Sequence, residues 1–213
     1  MSKTLVFLHT SPVHIATFDG LLAEIAADVP VRHLVDEGLL STARSDGITP
    51  ALAERIRAHI LAVGQHDVVL CTCSTIGGCA EYAGAVRVDR AMAERAVAAG
   101  PRILLVAALA STVMPTRQLI EQVAAASGRP IRIQELLCAA AWVSFEAGDQ
   151  PAYLAQIAAA VRANADQADV IVLAQASMAG AAALCPELAI PILSSPRLGL
   201  AAALDKLGAA LPQ

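Results

Sequence analysis

Cys73 opens a short polar turn, Cys73-Ser74-Thr75, directly after the apolar run Val68 to Cys71, and Gly77 and Gly78 follow where a helix is expected to begin. The first amides of a helix and its dipole favour an anion, whether a thiolate or a substrate carboxylate. That pairing suits one kind of chemistry. A thiolate at Cys73 removes or returns a proton at a carbon next to a carboxylate, while the hydroxyls of Ser74, Thr75 and Ser177 hold that carboxylate or the developing enediolate. The competing reading is that Cys73 is a small buried apolar residue, which is how free cysteine usually behaves.

The stretch recurs. Asp67–Gly78 (DVVLCTCSTIGG) aligns with Asp169–Gly180 (DVIVLAQASMAG) at a shift of 169 − 67 = 102 residues, which sets Thr75 on Ser177 and Cys73 on Gln175. A weaker echo places Leu5, Val6, Ser11 and Val13 on Leu105, Val106, Ser111 and Val113 at a shift of 105 − 5 = 100. Two copies of a strand-then-turn unit imply two similar halves.

Aromatic residues are 3 % of the 213 and the net charge is −4, so neither a stacking platform nor a basic stripe for nucleic acid is expected. The partner expected instead is a small molecule. No apolar run approaches the ~20 residues of a membrane span. Met1–Lys3 leads straight into a strand-like segment, so no signal peptide is expected and the chain is expected to be cytoplasmic. Five cysteines, an odd number in a reducing compartment, argue against disulfides.

The elements that must carry the turns alternate in type. Strands are expected at Thr4–Leu8, Val31–Val35, Asp67–Thr72, Val86–Val88, Ile103–Ala107, Ile131–Gln134, Val170–Leu173 and Pro191–Ser194. Helices are expected near Val13–Ala27, Pro50–Val63, Ile76–Tyr82, Asp89–Gly100, Pro115–Ala126, Tyr153–Ala168, from Ala179, and over Leu198–Leu211. Asp36–Ile48 reads as a polar connection, Ser111–Thr112 as a turn, and 135–150 fits no single element. The pattern predicts an α/β fold of two pseudosymmetric three-layer halves with mostly parallel sheets: residues 1–92 plus 196–213, and 93–195. Parallel sheets place sites beyond the carboxyl ends of their strands. Four loops then qualify, His9–Pro12, Cys73–Gly77, Ala110–Thr112 and Gln175–Met178, with the active site expected in the cleft between the halves.

Cys73-Ser74-Thr75 after Val68–Thr72 resembles the Cys-Asn-Thr turn of the aspartate/glutamate/hydantoin racemase superfamily. Val170–Leu173 is similar to the strand preceding that family's second cysteine, and Ser111-Thr112 with Pro115-Thr116 is similar to its third loop. The resemblance covers nearly the whole chain. It implies two pseudosymmetric α/β domains, an isomerase working without a cofactor or metal, and a homodimer. In that family two cysteines flank the α-carbon, and here the second position holds Gln175, which hydrogen-bonds but does not titrate. Arylmalonate decarboxylases, which resemble the superfamily in fold, manage with one thiol, although they keep the second-half cysteine and this chain keeps the first.

The expected function is a cofactor-independent racemase or isomerase acting α to a carboxylate, with Cys73 as acid/base and His9 as a second proton donor or, alternatively, a structural histidine. Ser11, Ser74, Thr75, Ser111, Thr112, Gln175, Ala176, Ser177 and Met178 are the candidate substrate-binding residues. Arg87, Arg90 and Arg117 are further candidates to counter a carboxylate, with surface solvation the plainer reading of each. Cys71 with Cys73 as a metal pair lacks the His and Cys cluster that would complete it. The alternatives are a non-catalytic binder of a small carboxylate and a one-cysteine decarboxylase-like enzyme.

Overall fold

The computed structural model describes residues 3–64 and 66–209, and the chain divides into two compact units, Met1–Arg90 with Pro196–Gln213 and Ala91–Ser195. Each unit is built on one four-stranded sheet, and both sheets are parallel throughout. The first contains β1 (Leu5–His9), β2 (Val31–Val35), β3 (Val68–Cys71) and β4 (Val86–Arg87) in the order β2-β1-β3-β4. The second repeats that order as β6-β5-β7-β8, from β5 (Arg102–Ala107), β6 (Arg132–Leu137), β7 (Val170–Leu173) and β8 (Ile192–Ser194).

Side-chain alternation along the strands explains the layers. Val6, Leu8, Val69 and Cys71 point to one face of the first sheet. There they meet α2 (Glu37–Asp46), α3 (Pro50–Leu61) and α4 (Ser74–Tyr82) through Leu39, Leu52, Ile56, Ile60, Ile76 and Ala80. Leu5, Phe7, Val68 and Leu70 point to the other face and meet α1 (Ile15–Ile25) and α9 (Ser195–Leu207) through Phe18, Leu22, Leu200, Leu204 and Leu207. Both faces are covered, so the central strands carry unbroken apolar runs; each fully buried Leu, Ile or Phe contributes roughly 1.5–3 kcal/mol. In the second unit Leu104, Val106, Ile171 and Leu173 pack with Tyr153, Ile157 and Val161 of α8 (Gln150–Asn164).

The register refines the internal repeat. Leu5 pairs with Val68 and Ile103 pairs with Val170, so β1 superposes on β5 at a shift of 103 − 5 = 98 residues. The shift of 100 read from the sequence is thus off by two, which preserves the face of every side chain and so hides the slip. The Asp67/Asp169 echo is structural: Asp67 Oδ1 accepts from the Thr4 N–H (2.9 Å) and Asp169 Oδ2 from the Arg102 N–H (2.8 Å). Each aspartate ties the start of its own strand to its neighbour.

Several expected elements are corrected. Residues 37–46 form α2 instead of a connection, with Leu39 and Ala43 buried, and α2 stops at Gly47 (φ 74). Ser111 and Thr112 lie in the first turn of α6 (Ala110–Ser127) instead of a loop, and Pro115 sits inside that helix. Proline is commonest at a helix start, which drew the expected boundary five residues too late. Gly77 and Gly78 lie inside α4, not at its mouth; a Cβ on Gly77 would stand 3.1 Å from Arg87 Nε. The helix expected over Asp89–Gly100 is α5 (Arg90–Ala99), and the ambiguous interval 135–150 holds the end of β6, α7 (Ala139–Glu146) and the start of α8. The helix expected over Leu198–Leu211 runs from Ser195 to Leu207, and Leu211 is outside the described residues. Among the described residues no helix is long and apolar enough to cross a membrane.

Candidate functional site

In each sheet the strand order reverses between the first and third strands, β1/β3 and β5/β7, and the crevice beyond their carboxyl ends is where parallel sheets bind ligands. The turns after these four strands carry most of the candidate residues.

In the first unit β3 ends at Cys71 and the chain enters α4 at Ser74. Cys73 is the N-cap, extended at φ −116° and ψ 117°, with its side chain half-buried. Ser74 and Thr75 form the first turn and are buried. The four other cysteines sit in surroundings that push their thiols up: desolvation dominates at Cys71, Cys79, Cys138 and Cys185. Cys71 is fully buried with its Sγ 3.7 Å from the Cys73 carbonyl oxygen. Among the described residues no group of three or more His, Cys, Asp or Glu side chains is arranged to hold a metal ion.

His9 closes β1 and is fully buried. Its Nδ1 lies 2.9 Å from Thr72 Oγ1 and its Nε2 2.9 Å from His33 Nδ1. Burial first, then the neighbouring His33 and His14, holds its pKa down at about 3, so the ring is neutral near pH 7. Ser11 caps the 3-10 turn Pro12–His14 in an extended conformation and is half-buried.

In the second unit Gln175 takes the place of Cys73, the N-cap of a 3-10 helix over Ala176–Leu184, with φ −104° and ψ 143°. The Ala108 N–H, just beyond β5, donates to Gln175 Oε1 at 2.9 Å. That bond fixes the amide orientation, because only the oxygen can face an N–H. Nε2 therefore points away from Ala108, buried and without a protein acceptor. Ser111 Oγ, in the first turn of α6, is likewise buried and unpartnered. Ser177 Oγ pairs with the Tyr153 hydroxyl at 3.0 Å, and burial pushes that phenol up to about 12. Thr112 and Ala176 are buried, and Met178 belongs to the second unit's core, with its side chain fully enclosed.

The three candidate arginines are all engaged. Arg87 is buried, not solvated, and holds buried Asp89 bidentately at 2.6 and 3.0 Å. Arg90 pairs with Glu81, and Arg117 with Glu121 and Glu135. The sequence did not point to Asp19, His33 or Thr72, which join His9 through three different elements. Their separations along the chain follow no local period.

No protein-family model matches the chain, and no curated protein matches it by sequence. Solved structures do. Picrophilus torridus aspartate racemase superposes with a TM-score of 0.73 at 15 % identity, covering 99 % of this chain and 96 % of that one. Allantoin racemase from Klebsiella pneumoniae gives 0.62 at 18 %, covering 99 % and 91 %. A mutant of Nocardia farcinica maleate cis-trans isomerase with a covalently bound succinylcysteine intermediate gives 0.56 at 18 %, covering 100 % and 96 %. The chain shares the fold of these racemases and of the isomerase.

Proposed function

We propose that the protein is a cofactor-independent isomerase of the racemase type, acting at a carbon α to a carboxylate with Cys73 as its acid/base. The observation that carries this reading is the placement of Cys73: a half-buried thiol at the N-cap of α4, next to the point where strand order reverses, followed by two buried hydroxyl residues. The fold shared with racemases and isomerases supports the same reaction class.

In this mechanism the Cys73 thiolate takes the α-proton and becomes a thiol, and the electron pair moves into the carboxylate to give an enediolate. Amides at the start of α4, with Ser74 and Thr75, stabilise the added charge. Reprotonation by the same thiol returns the starting acid; a solvent proton delivered to the opposite face of the planar enediolate, with the thiol proton released to solvent, gives the inverted acid. Gln175 carries no transferable proton, so it acts as a hydrogen-bond donor through Nε2, with Ser111 Oγ as a second donor. His9, neutral and bonded at both ring nitrogens, positions the Cys73 turn and is not the second acid. The substrate is a small carboxylate, and the active form is a homodimer.

The test is solvent exchange. The protein is incubated in D₂O with a panel of α-amino acids and 2-substituted malonates, and loss of the α-proton signal is followed by NMR. Exchange should occur with at least one acid and vanish in Cys73→Ser. Exchange that survives Cys73→Ser removes the thiol from the reaction, and no exchange with any acid favours the carboxylate binder. Carbon dioxide release from the malonates would mark the decarboxylase-like alternative.

A further inference from the structure

Four side chains from four segments of the first unit form one continuous hydrogen-bonded line. Asp19 Oδ1, on α1, lies 3.0 Å from His33 Nε2, on β2; His33 Nδ1 lies 2.9 Å from His9 Nε2, on β1; and His9 Nδ1 lies 2.9 Å from Thr72 Oγ1. The two imidazoles and the Phe7 ring lie nearly parallel, 4.8–5.6 Å apart between centroids and within 9° of one plane, which fixes their orientation. The line runs from a carboxylate 52 % exposed at the surface to a buried threonine adjoining Cys73.

The donor and acceptor count allows only one direction while both rings are neutral. Each ring then has one N–H. If His33 carried it on Nδ1, its bare Nε2 would face the Asp19 oxygen, acceptor against acceptor. The proton must therefore sit on Nε2 and donate to Asp19. His33 Nδ1 then accepts from His9 Nε2–H, and His9 Nδ1 accepts from the Thr72 hydroxyl. Every partner is satisfied, and the Leu8 carbonyl still receives the Thr72 N–H at 3.1 Å.

One added proton reverses the line. With both nitrogens of His33 protonated, Nε2–H donates to Asp19 and Nδ1–H donates to His9 Nε2. The His9 proton must then stand on Nδ1 and donate to Thr72 Oγ1, which turns the hydroxyl proton onto the Leu8 carbonyl, 3.2 Å away. The gain is one proton from solvent, carried by His33, and a change of tautomer in a His9 that stays neutral. The charge of the cationic state rests beside Asp19. Among the described residues His14, in the 3-10 turn after β1, also acts on His9 and is itself held down by burial.

We infer that Asp19, His33, His9 and Thr72 form a two-state relay in which uptake of one proton at His33 reverses the Thr72 hydroxyl beside the Cys73 turn. His33 and Asp19 are then positioning residues for that turn. The effect on turnover rests on the proposed role of Cys73, whereas the relay is a property of the resting protein and is tested without substrate.

Long-range proton–nitrogen NMR of the nitrogen-15-labelled protein reads the tautomer of each histidine across a pH titration. The expected result is that His33 gains its second proton as pH falls and that His9, staying neutral, changes from the Nε2–H to the Nδ1–H form with the same midpoint. Asp19→Glu, which keeps an acceptor-only carboxylate at the exposed end, should leave both events sharing one midpoint. His33→Gln should leave His9 in one tautomer at every pH. A His9 tautomer that stays constant while His33 titrates overturns the inference, as does a His9 change that persists in His33→Gln. Should His33→Gln fail to fold, separation of the two midpoints in Asp19→Glu overturns it equally. Failure of the D₂O exchange leaves these spectra unaffected, so the two readings fail separately.

Discussion

Cys73 and Gln175 occupy the same position in two copies of one substructure. Each follows the third strand of a sheet ordered 2-1-3-4, each is an extended N-cap, and their φ and ψ differ by 12° and 26° (−116° and 117° against −104° and 143°). Backbone equivalence with unlike side chains separates what the fold needs from what the chemistry needs. A thiol and an amide are both accommodated at this position.

Gln175 therefore gives the first prediction. Gln175→Glu keeps an oxygen for the Ala108 N–H and replaces the buried amide NH2, which points away from Ala108, by a second oxygen of a negatively charged carboxylate. Affinity for a small carboxylate, measured by calorimetry, should fall at least about tenfold, since removing a donor and adding a like charge costs more than ~1.4 kcal/mol. Unchanged affinity would remove the donor role. Gln175→Leu should in addition lose about 1–3 kcal/mol of stability by leaving the Ala108 N–H unpaired.

Thiol reactivity gives the second. Iodoacetamide near neutral pH should label Cys73 ahead of Cys71 and Cys185, which are buried, and of Cys79 and Cys138, whose thiols burial pushes up. Peptide mapping by mass spectrometry after partial labelling reads the order. A small carboxylate that binds at the turn should slow labelling of Cys73 alone; equal rates at Cys73, Cys79 and Cys138 would count against an activated thiol.

The strands and the Cys73 turn were legible because buried parallel strands write themselves as apolar runs and because the unit occurs twice. Val170–Leu173, buried throughout, falls where its apolar run places it. The start of α6 was not, since Leu109 supplies no capping side chain and Pro115 lies past the first turn. Neither was α2: its N-cap Asp36 directs its carboxylate to Arg55 and His59 instead of its own helix amides, and Gly38 and Gly47 look like loop residues. The Asp19–His33–His9–Thr72 line is of another kind. It joins residues 14 to 63 positions apart through sheet pairing and the packing of α1 on β2, and local sequence holds no trace of such contacts.

The buried pair Arg87–Asp89 gives the third prediction. Arg87→Met strands the Asp89 carboxylate, 0 % exposed, without its counter-ion. Such a loss typically costs about 3–5 kcal/mol. The double variant Arg87→Met with Asp89→Leu should recover most of that, because the desolvation cost goes with the charge. Urea unfolding of the two single variants and the double variant reads the coupling. A double variant no more stable than Arg87→Met would show that the pair, and not the stranded charge, sets the stability.

Acid stability gives the fourth, and its sign follows from His9. An unfolded histidine takes a proton near pH 6.5, while in the fold burial, aided by His33 and His14, holds His9 neutral down to about pH 3. Above pH 6.5 both states are neutral and the full stability is present. Between 6.5 and about 3 the unfolded chain binds a proton that His9 refuses in the fold, so stability falls with pH. Asp36 adds a loss in a lower window. Its burial raises the carboxyl, but hydrogen bonds from His59 and Arg55 outweigh that and hold it below its ordinary 3.8, so its contribution fades only as pH drops under that value. Thermal unfolding between pH 7 and 4.5 therefore reads His9 together with His14, whose pKa burial also lowers, and is free of Asp36. The midpoint should drop across that range, and His9→Gln, which keeps hydrogen-bonding capacity without a titrating ring, should flatten the decline; an equally steep fall in His9→Gln would assign the acid sensitivity to another group.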